Sequence, residues 1–377
     1  MGGIENIFGF LTHYIVPFVL VLSLLVFVHE MGHYLVGRLS GIRILAFSVG
    51  FGPELVGFTD GHGTRWKLSA IPLGGYVRFF GDEDASSKTD NQQLAAMSPE
   101  ERARSFAGAK LWKRAATVAA GPIANFILAI VIFAVLFSIY GRSVADPVVA
   151  EVKAGSAAAE AGIEPGDLLV AIDGSKVATF DDVRRYVSIR PGRQIVVTIE
   201  RKGASMEFQM VPQRTDMTDQ FGNKMEVGII GIVTNQDVGH FRQQTYTPLQ
   251  ALVEGTRQTG SIIVGTFEYI GNLVGGYMKP DQLGGPIRVA QASGQMASLG
   301  LAAVLQLAAV LSVSIGLLNL MPVPVLDGGH LMFYAIEAVR GKPLGAAAQD
   351  IAFRIGLAMV LSLMVFATWN DISALIG

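Results

Sequence analysis

The sequence predicts a polytopic α-helical membrane protein with about four transmembrane helices and a β-rich domain inserted between the second and the third. Three observations predict it. Of 377 residues, 51% are hydrophobic and only 16% are charged, far from the roughly 25% charged residues of a soluble domain. Four stretches reach the ~20 mostly apolar residues that a span requires. Between the second and third of them lie short apolar runs separated by turn residues, the pattern of strands. A net charge of −2 gives no global field for nucleic acid. The chain has no Cys, so disulfides and thiolate ligands are excluded and a bound metal needs His, Asp or Glu.

The spans fall at about 14–36, 115–140, 301–325 and 351–369. A fifth stretch, "SIIVGTFEYIGNLVGGYM" (261–278), is shorter, Gly-rich and carries Glu268, which suits an amphipathic helix at the interface. The first run is not read as a cleaved signal peptide, because it is too long and lacks a basic n-region. Lys and Arg bias sets orientation. The loop 37–114 holds eleven of them, ending in Lys113 and Arg114 at the start of span two, and the loop between spans three and four holds Arg340 and Lys342. Both loops are therefore expected in the cytoplasm, with both termini and the segment 141–300 outside. Residues 82–106 are polar and are given no chemistry.

Residues 146–214 change character. "DPVVAEV" suits a strand, "TFDDVRRYVSI" a helix with Thr179 as its N-cap, and "RQIVVTIERKGASMEFQMVP" two strands joined at Lys202-Gly203. The run "SAAAEAGIEPGDLLVAIDG" resembles the PDZ domain, which implies binding of an extended peptide by strand addition or steric gating. The expected organisation is a membrane part over 1–140, a PDZ domain over 141–215, a linker strand with amphipathic helices over 216–300, and a second membrane part over 301–377. "MEVGIIGIV" is placed in the linker.

"LLVFVHEMGHYLV" (24–36) puts His29, Glu30 and His33 inside the first span. Residues four apart share a helix face, so His29 and His33 present two imidazoles to one point, and Glu30 sits about 100° round. This is the H-E-x-x-H arrangement of two zinc ligands and a general base. Polar groups at this depth are expensive and mark a site. A catalytic zinc takes a third protein ligand. Asp327 in "GLLNLMPVPVLDGGH" follows two prolines that must distort the helix and is the favoured candidate, with His330 as rival.

Together, "HEMGH", "LDGG" and the PDZ-like insertion resemble the site-2 protease family of intramembrane zinc metalloproteases, and most closely the bacterial regulator-of-sigma-E protease subgroup. "FSVGFGPEL" (47–55), "IPLGGYVRFFGDED" (71–84), "GPIANF" (121–126), "LGGPIRVA" (283–290) and "NLMPVPVLDGGHL" (319–331) add to the resemblance. It departs in one respect: one PDZ module is visible where some members carry two. The resemblance implies Zn2+ held by His29, His33 and Asp327, with Glu30 as the base. It implies a hairpin over about 66–80 dipping into the membrane beside the site, with Gly74 and Gly75 between its halves. It implies substrate handling by Asn125 and Asn319, for each of which an interhelical hydrogen bond is the alternative reading.

The function so implied is cleavage of transmembrane segments of single-span proteins, such as an anti-sigma factor or remnant signal peptides, in the bacterial inner membrane. The active site would open to the cytoplasm, and the outer PDZ module would admit trimmed substrates. Two other readings are a metal transporter, disfavoured because no inverted repeat is found, and a catalytically inactive membrane scaffold presenting the PDZ module.

Overall fold

The computed structural model describes residues 11–81, 97–218, 224–234, 242–277 and 284–376. Leu283 and residues 82–84 of the quoted motifs, and most of the polar loop, lie outside them. Among the described residues, four helices are long and apolar enough to cross a membrane: Thr12–Leu39, Leu111–Tyr140, Leu301–Leu320 and Ala347–Ala374. They overlap the four expected spans, the third ending at Leu320 rather than at 325. The last is the clearest, since Ile355, Leu361, Met364 and Val365 are all exposed to the surroundings, which only lipid makes favourable. The described chain divides into two compact units, Met1–Ile132 with Gly285–Asp371, and Phe133–Gly284 with Ile372–Gly377.

In the first unit, a π-helical turn, Leu11–Ile15, leads into α1 (Val16–Leu39), with Pro at its start. Strands β1 (Ile44–Thr59) and β2 (Arg65–Phe79) follow, joined by a turn at 60–64. Their register doubles back. Phe47 pairs with both Val77 and Trp66, Ser48 with both Tyr76 and Lys67, and Val49 with both Gly75 and Leu68. The segment 44–49 is thus flanked on both sides by β2, and 54–59 pairs back along 65–69. Gly50 and Gly52 take positive φ of 88° and 86° where β1 bends, a conformation that suits glycine.

This corrects the expected hairpin. Residues 66–80 do not fold on themselves at Gly74-Gly75. They form one long strand whose two halves both pair with β1, and the hairpin's turn is the Asp60–Thr64 loop. There Asp60 accepts from the backbone N–H of His62 and Thr64, and from Trp66 Nε1 at 3.0 Å. A short helix α2 (Pro99–Arg104), capped by Ser98, precedes α3 (Leu111–Tyr140), which contains Pro122.

The second unit begins within α3. After β3 (Arg142–Val144) comes the β-rich module: β4 (Val149–Val152), α4 (Ala157–Ala161), β5 (Leu168–Ile172), β6 (Ser175–Lys176), α5 (Phe180–Ser188), β7 (Ile195–Arg201) and β8 (Ala204–Met210). Four strands form a sheet of order β6-β5-β7-β8. Ile195, Val197 and Ile199 are fully buried at period two, the alternation of a half-buried strand. Thr179 caps α5 in a capping box with Asp182. Lys202 and Gly203 both have positive φ in the β7–β8 turn, as a type I′ hairpin demands.

The module runs beyond the expected end at 215. Strands β9 (Gln213–Thr218) and β10 (Lys224–Ile229) pair with each other, and β11 (Ile232–Thr234) pairs with β4. Ile230 is buried in the same core as Val149 and Ile172, so "MEVGIIGIV" completes the module. After β12 (Arg242–Gln244), which pairs with β3, comes α6 (Pro248–Val274), longer than the expected 261–278 element and started by a Thr247 capping box. Its polar groups face the module: Glu268 pairs with Arg190 at 2.7 Å, and Asn272 Nδ2 donates to the Ile189 carbonyl at 2.5 Å.

The chain then returns to the first unit. Helix α7 (Pro286–Ser298) packs on α1 and the π-helical turn, where Gly294 meets the His13 carbonyl and Tyr14. Then come α8 (Leu301–Leu320), α9 (Asp327–Arg340) and α10 (Ala346–Ile376). Asp371, fully enclosed, accepts from the backbone N–H groups of Gly285, Ile287 and Arg288 and so caps α7.

Candidate metal centre

Two helices, α1 and α9, bring one ligand group together. His29 and His33 lie one turn apart on α1, both buried. Their Nε2 atoms are 3.2 Å apart. Asp327 Oδ2 stands 3.1 Å from His29 Nε2 and 3.5 Å from His33 Nε2. These residues form a His/Asp cluster able to hold a metal ion. His330 is outside it. Its ring stands among Phe333, Tyr334 and Phe353, so the rival ligand is set aside.

The loop before Asp327 explains the carboxylate's position. Helix α8 stops at Leu320, and "MPVPVL" crosses to α9, which begins at Asp327. Val325 sits at φ 138°, outside the ordinary range of a β-branched residue, so the loop carries backbone strain two residues before Asp327. A Cβ on Gly328 would overlap the carbonyls of Leu320 and Met321, and one on Gly329 would meet the Val323 carbonyl. The glycine pair lets the start of α9 tuck beneath the end of α8.

The donor set fits a divalent cation. His33 Nδ1 lies 2.9 Å from the carbonyl of Thr117. A neutral ring that donates from Nδ1 leaves Nε2 as a lone pair. That lone pair faces a second imidazole nitrogen and a carboxylate oxygen, Asp327 Oδ2, which is buried with no hydrogen bond of good geometry. Three donors converge where a cation relieves their repulsion, and two imidazoles with a carboxylate suit zinc. Helix α3 forms the opposite wall. A Cβ on Gly121 would overlap His33 Nε2 and Cε1, and one on Gly32 would overlap the Ala120 carbonyl, so both glycines are needed for this approach.

Glu30 is adjacent but separate. Its carboxylate receives the backbone N–H of Val77 on β2, and Gly75 lies against its Cγ and the side chain of Val26. A Cβ on Gly74, at φ 101°, would strike the Phe51 ring. The 74–79 half of β2 therefore runs beside Glu30. Asn125 is fully buried, with Nδ2 3.2 Å from His29 Nδ1. Asn319 is half-buried on α8 and donates to its own helix at the Ile315 carbonyl, 3.1 Å away. The structure thus brings His29, His33, Asp327, Glu30, Gly75 and Asn125 together, and leaves Asn319 bonded within α8. The sequence reading missed the Thr117 carbonyl, the Val77 N–H and Gly121. Only Gly121 had a signal, its i, i+4 spacing to Asn125.

Comparison with known proteins agrees with this geometry. The peptidase family M50 matches residues 17–363. A relative from Agrobacterium fabrum, named as a zinc metalloprotease, is 75% identical over 98% of this chain and 98% of its own length. One from Rhizobium meliloti, similarly named, is 69% identical over 97% and 98%. Metalloprotease MmpA of Caulobacter vibrioides is 38% identical over 97% and 96%. The PDZ domain of an SdrC-like protein from Listeria monocytogenes aligns at 22% identity with 25% of this chain and 90% of its own, with a TM-score of 0.19. With a His/Asp cluster fit for zinc set among membrane-crossing helices, and with the family match and the metalloprotease relatives, the chain belongs to peptidase family M50, the site-2 protease family, and is a membrane zinc metalloprotease.

Proposed function

We propose that this metalloprotease cuts peptide bonds inside the membrane, in transmembrane segments of single-span proteins. One observation carries the reading: the cluster His29, His33 and Asp327 lies on or directly after helices long and apolar enough to cross a bilayer. A polar site at that depth is worth its cost when the scissile bond is there too.

His29, His33 and Asp327 would hold the metal. Zinc, when bound, supplies a Lewis acid that polarises the scissile carbonyl and lowers the pKa of a water toward about 7. The Glu30 carboxylate takes the proton from the attacking water and delivers it to the leaving amine. The Val77 N–H holds that carboxylate in place. The substrate must expose a carbonyl that its own helix has hidden, and β2 offers a strand edge for it to pair with. Gly74 and Gly75 keep that strand close to Glu30. The role proposed for Asn319, at the end of α8, is to meet the substrate backbone, which requires it to leave the Ile315 carbonyl.

The setting follows from the same reading. The Lys and Arg bias supports an inner-membrane protein with both termini and the β-rich module outside and the site open to the cytoplasm. The module is read as a PDZ domain that gates by size or by peptide binding. An anti-sigma factor or remnant signal peptides fit as substrates. Proteoliposomes holding the protein and a single-span substrate without its outer domain test this. Mass spectrometry should place the cut within the apolar span. A cut confined to the flanking soluble sequence would contradict intramembrane action.

A further inference from the structure

Asn125 stands where the metal centre needs a proton acceptor. Its side chain is fully buried on α3. Its Nδ2 faces His29 Nδ1 at 3.2 Å, and its Oδ1 is buried without a partner. The backbone is tied down separately, because its carbonyl accepts from Ser312 Oγ at 2.8 Å and its Cβ backs onto Gly316 of α8. Packing therefore fixes where Asn125 is, and leaves the amide free to turn about its last bond.

The two ligand imidazoles differ in what sets their protons. His33 has a backbone carbonyl, Thr117 O, at Nδ1, so its Nε2 is a lone pair. The partner at Nδ1 of His29 is the Asn125 amide. With Nδ2 facing the ring, His29 Nδ1 accepts and the ring proton sits on Nε2, pointing at His33 Nε2 and Asp327 Oδ2. That tautomer has no lone pair for a metal. A half-turn of the amide exchanges its two atoms. Oδ1 then accepts from Nδ1–H, and His29 Nε2 presents a lone pair to the point that His33 Nε2 and Asp327 Oδ2 already face. Either orientation leaves one amide atom unpaired, so the amide has little preference of its own and the state of His29 decides.

We infer that Asn125 is the positioning residue of His29: its Oδ1 accepts the Nδ1 proton and holds the tautomer in which Nε2 faces the metal. This rests on His29 being a ligand. It moves Asn125 from substrate handling to ligand support. Helix α3 then serves the centre twice, with Gly121 leaving room at His33 and Asn125, one turn later, orienting His29. Partners of this kind are usually carboxylates or carbonyls. An amide adds a metal-free state in which it donates instead.

The test is zinc affinity, measured by chelator competition on detergent-purified full-length protein, with apo-protein thermal unfolding alongside. Asn125→Leu removes the acceptor at similar volume and should weaken zinc binding by roughly 10–100-fold. Asn125→Asp keeps an acceptor and no donor, and should bind zinc at least as tightly as the parent. In a His29→Ala background, already weak, Asn125→Leu should add nothing. A role in packing alone predicts that Leu is tolerated, that Asp is the worse substitution, and that the effects add. Parent-like affinity in Asn125→Leu overturns the proposal, and so does an Asn125→Asp variant that loses zinc tenfold, a result that stands even if the Leu variant does not fold. Full zinc affinity in His29→Ala overturns both this inference and the ligand reading beneath it, whereas loss of zinc there with no effect at Asn125 overturns the inference alone.

Discussion

His29 Nε2 and His33 Nε2 lie 3.2 Å apart, and Asp327 Oδ2 approaches them at 3.1 and 3.5 Å. Such convergence of donors in a buried site suits a cation. His33→Ala and Asp327→Asn should each lower zinc affinity by more than the roughly 10–100-fold expected for an outer partner, and abolish cleavage. Elemental analysis of purified variants measures this, and stoichiometric zinc in Asp327→Asn would remove that residue from the ligand set.

Gly121→Ala separates the centre from helix propensity. Alanine favours a helix over glycine by about 1 kcal/mol, yet a Cβ here would overlap His33 Nε2. The variant should keep its helical circular dichroism and lose zinc. Parent-like zinc content would mean that α3 does not wall the site.

Asp371 is expected to be the largest single polar contribution to holding α7 and α10 together. It is enclosed, accepts three backbone N–H groups and pairs with Arg288 at 3.3 Å. Removing one partner of a buried ion pair costs about 3–5 kcal/mol, so Asp371→Ala should lower the denaturation midpoint sharply. A loss under about 1 kcal/mol, the worth of an ordinary surface pair, would show that the cap is dispensable.

The β1–β2 turn should be acid-sensitive. The Trp66 Nε1–H bonded to Asp60, with the turn's backbone N–H groups, lowers the Asp60 carboxyl to about 2, against about 3.9 in an unfolded chain. A depressed folded value means that the contribution to stability is present above the unfolded value and is lost as the pH falls through about 2. Asp60→Asn should therefore be less stable than the parent at neutral pH, with the gap closing as the pH approaches 2. A gap that does not change with pH would assign the loss to turn geometry rather than to charge.

Much of this was legible in the sequence because it is local. Hydropathy located the spans, and the four-residue spacing of His29 and His33 needed only helix geometry. Asp327 was legible through Pro322 and Pro324, which end α8. What stayed hidden depends on distant pairing or on backbone atoms. The partner of β2 is β1, whose pattern is broken by Gly50, Gly52 and Pro53. "VGIIGIV" resembles a linker until Ile230 is seen in a core built from Val149, Ile172 and Ile195. The Thr117 carbonyl and the Val77 N–H have no side-chain signature at all. Helix α7 is weakly apolar, and only packing against α1 and the π-helical turn gives it a place.

The most direct test measures zinc content and cleavage together, on the parent and on Glu30→Gln, with a single-span substrate lacking its outer domain. Glu30 lies outside the His29, His33 and Asp327 cluster, so both proteins should hold one zinc, and only the parent should cut. Cleavage by Glu30→Gln at the parent's rate would contradict its role as the base, and absence of zinc from both would contradict the metal centre itself.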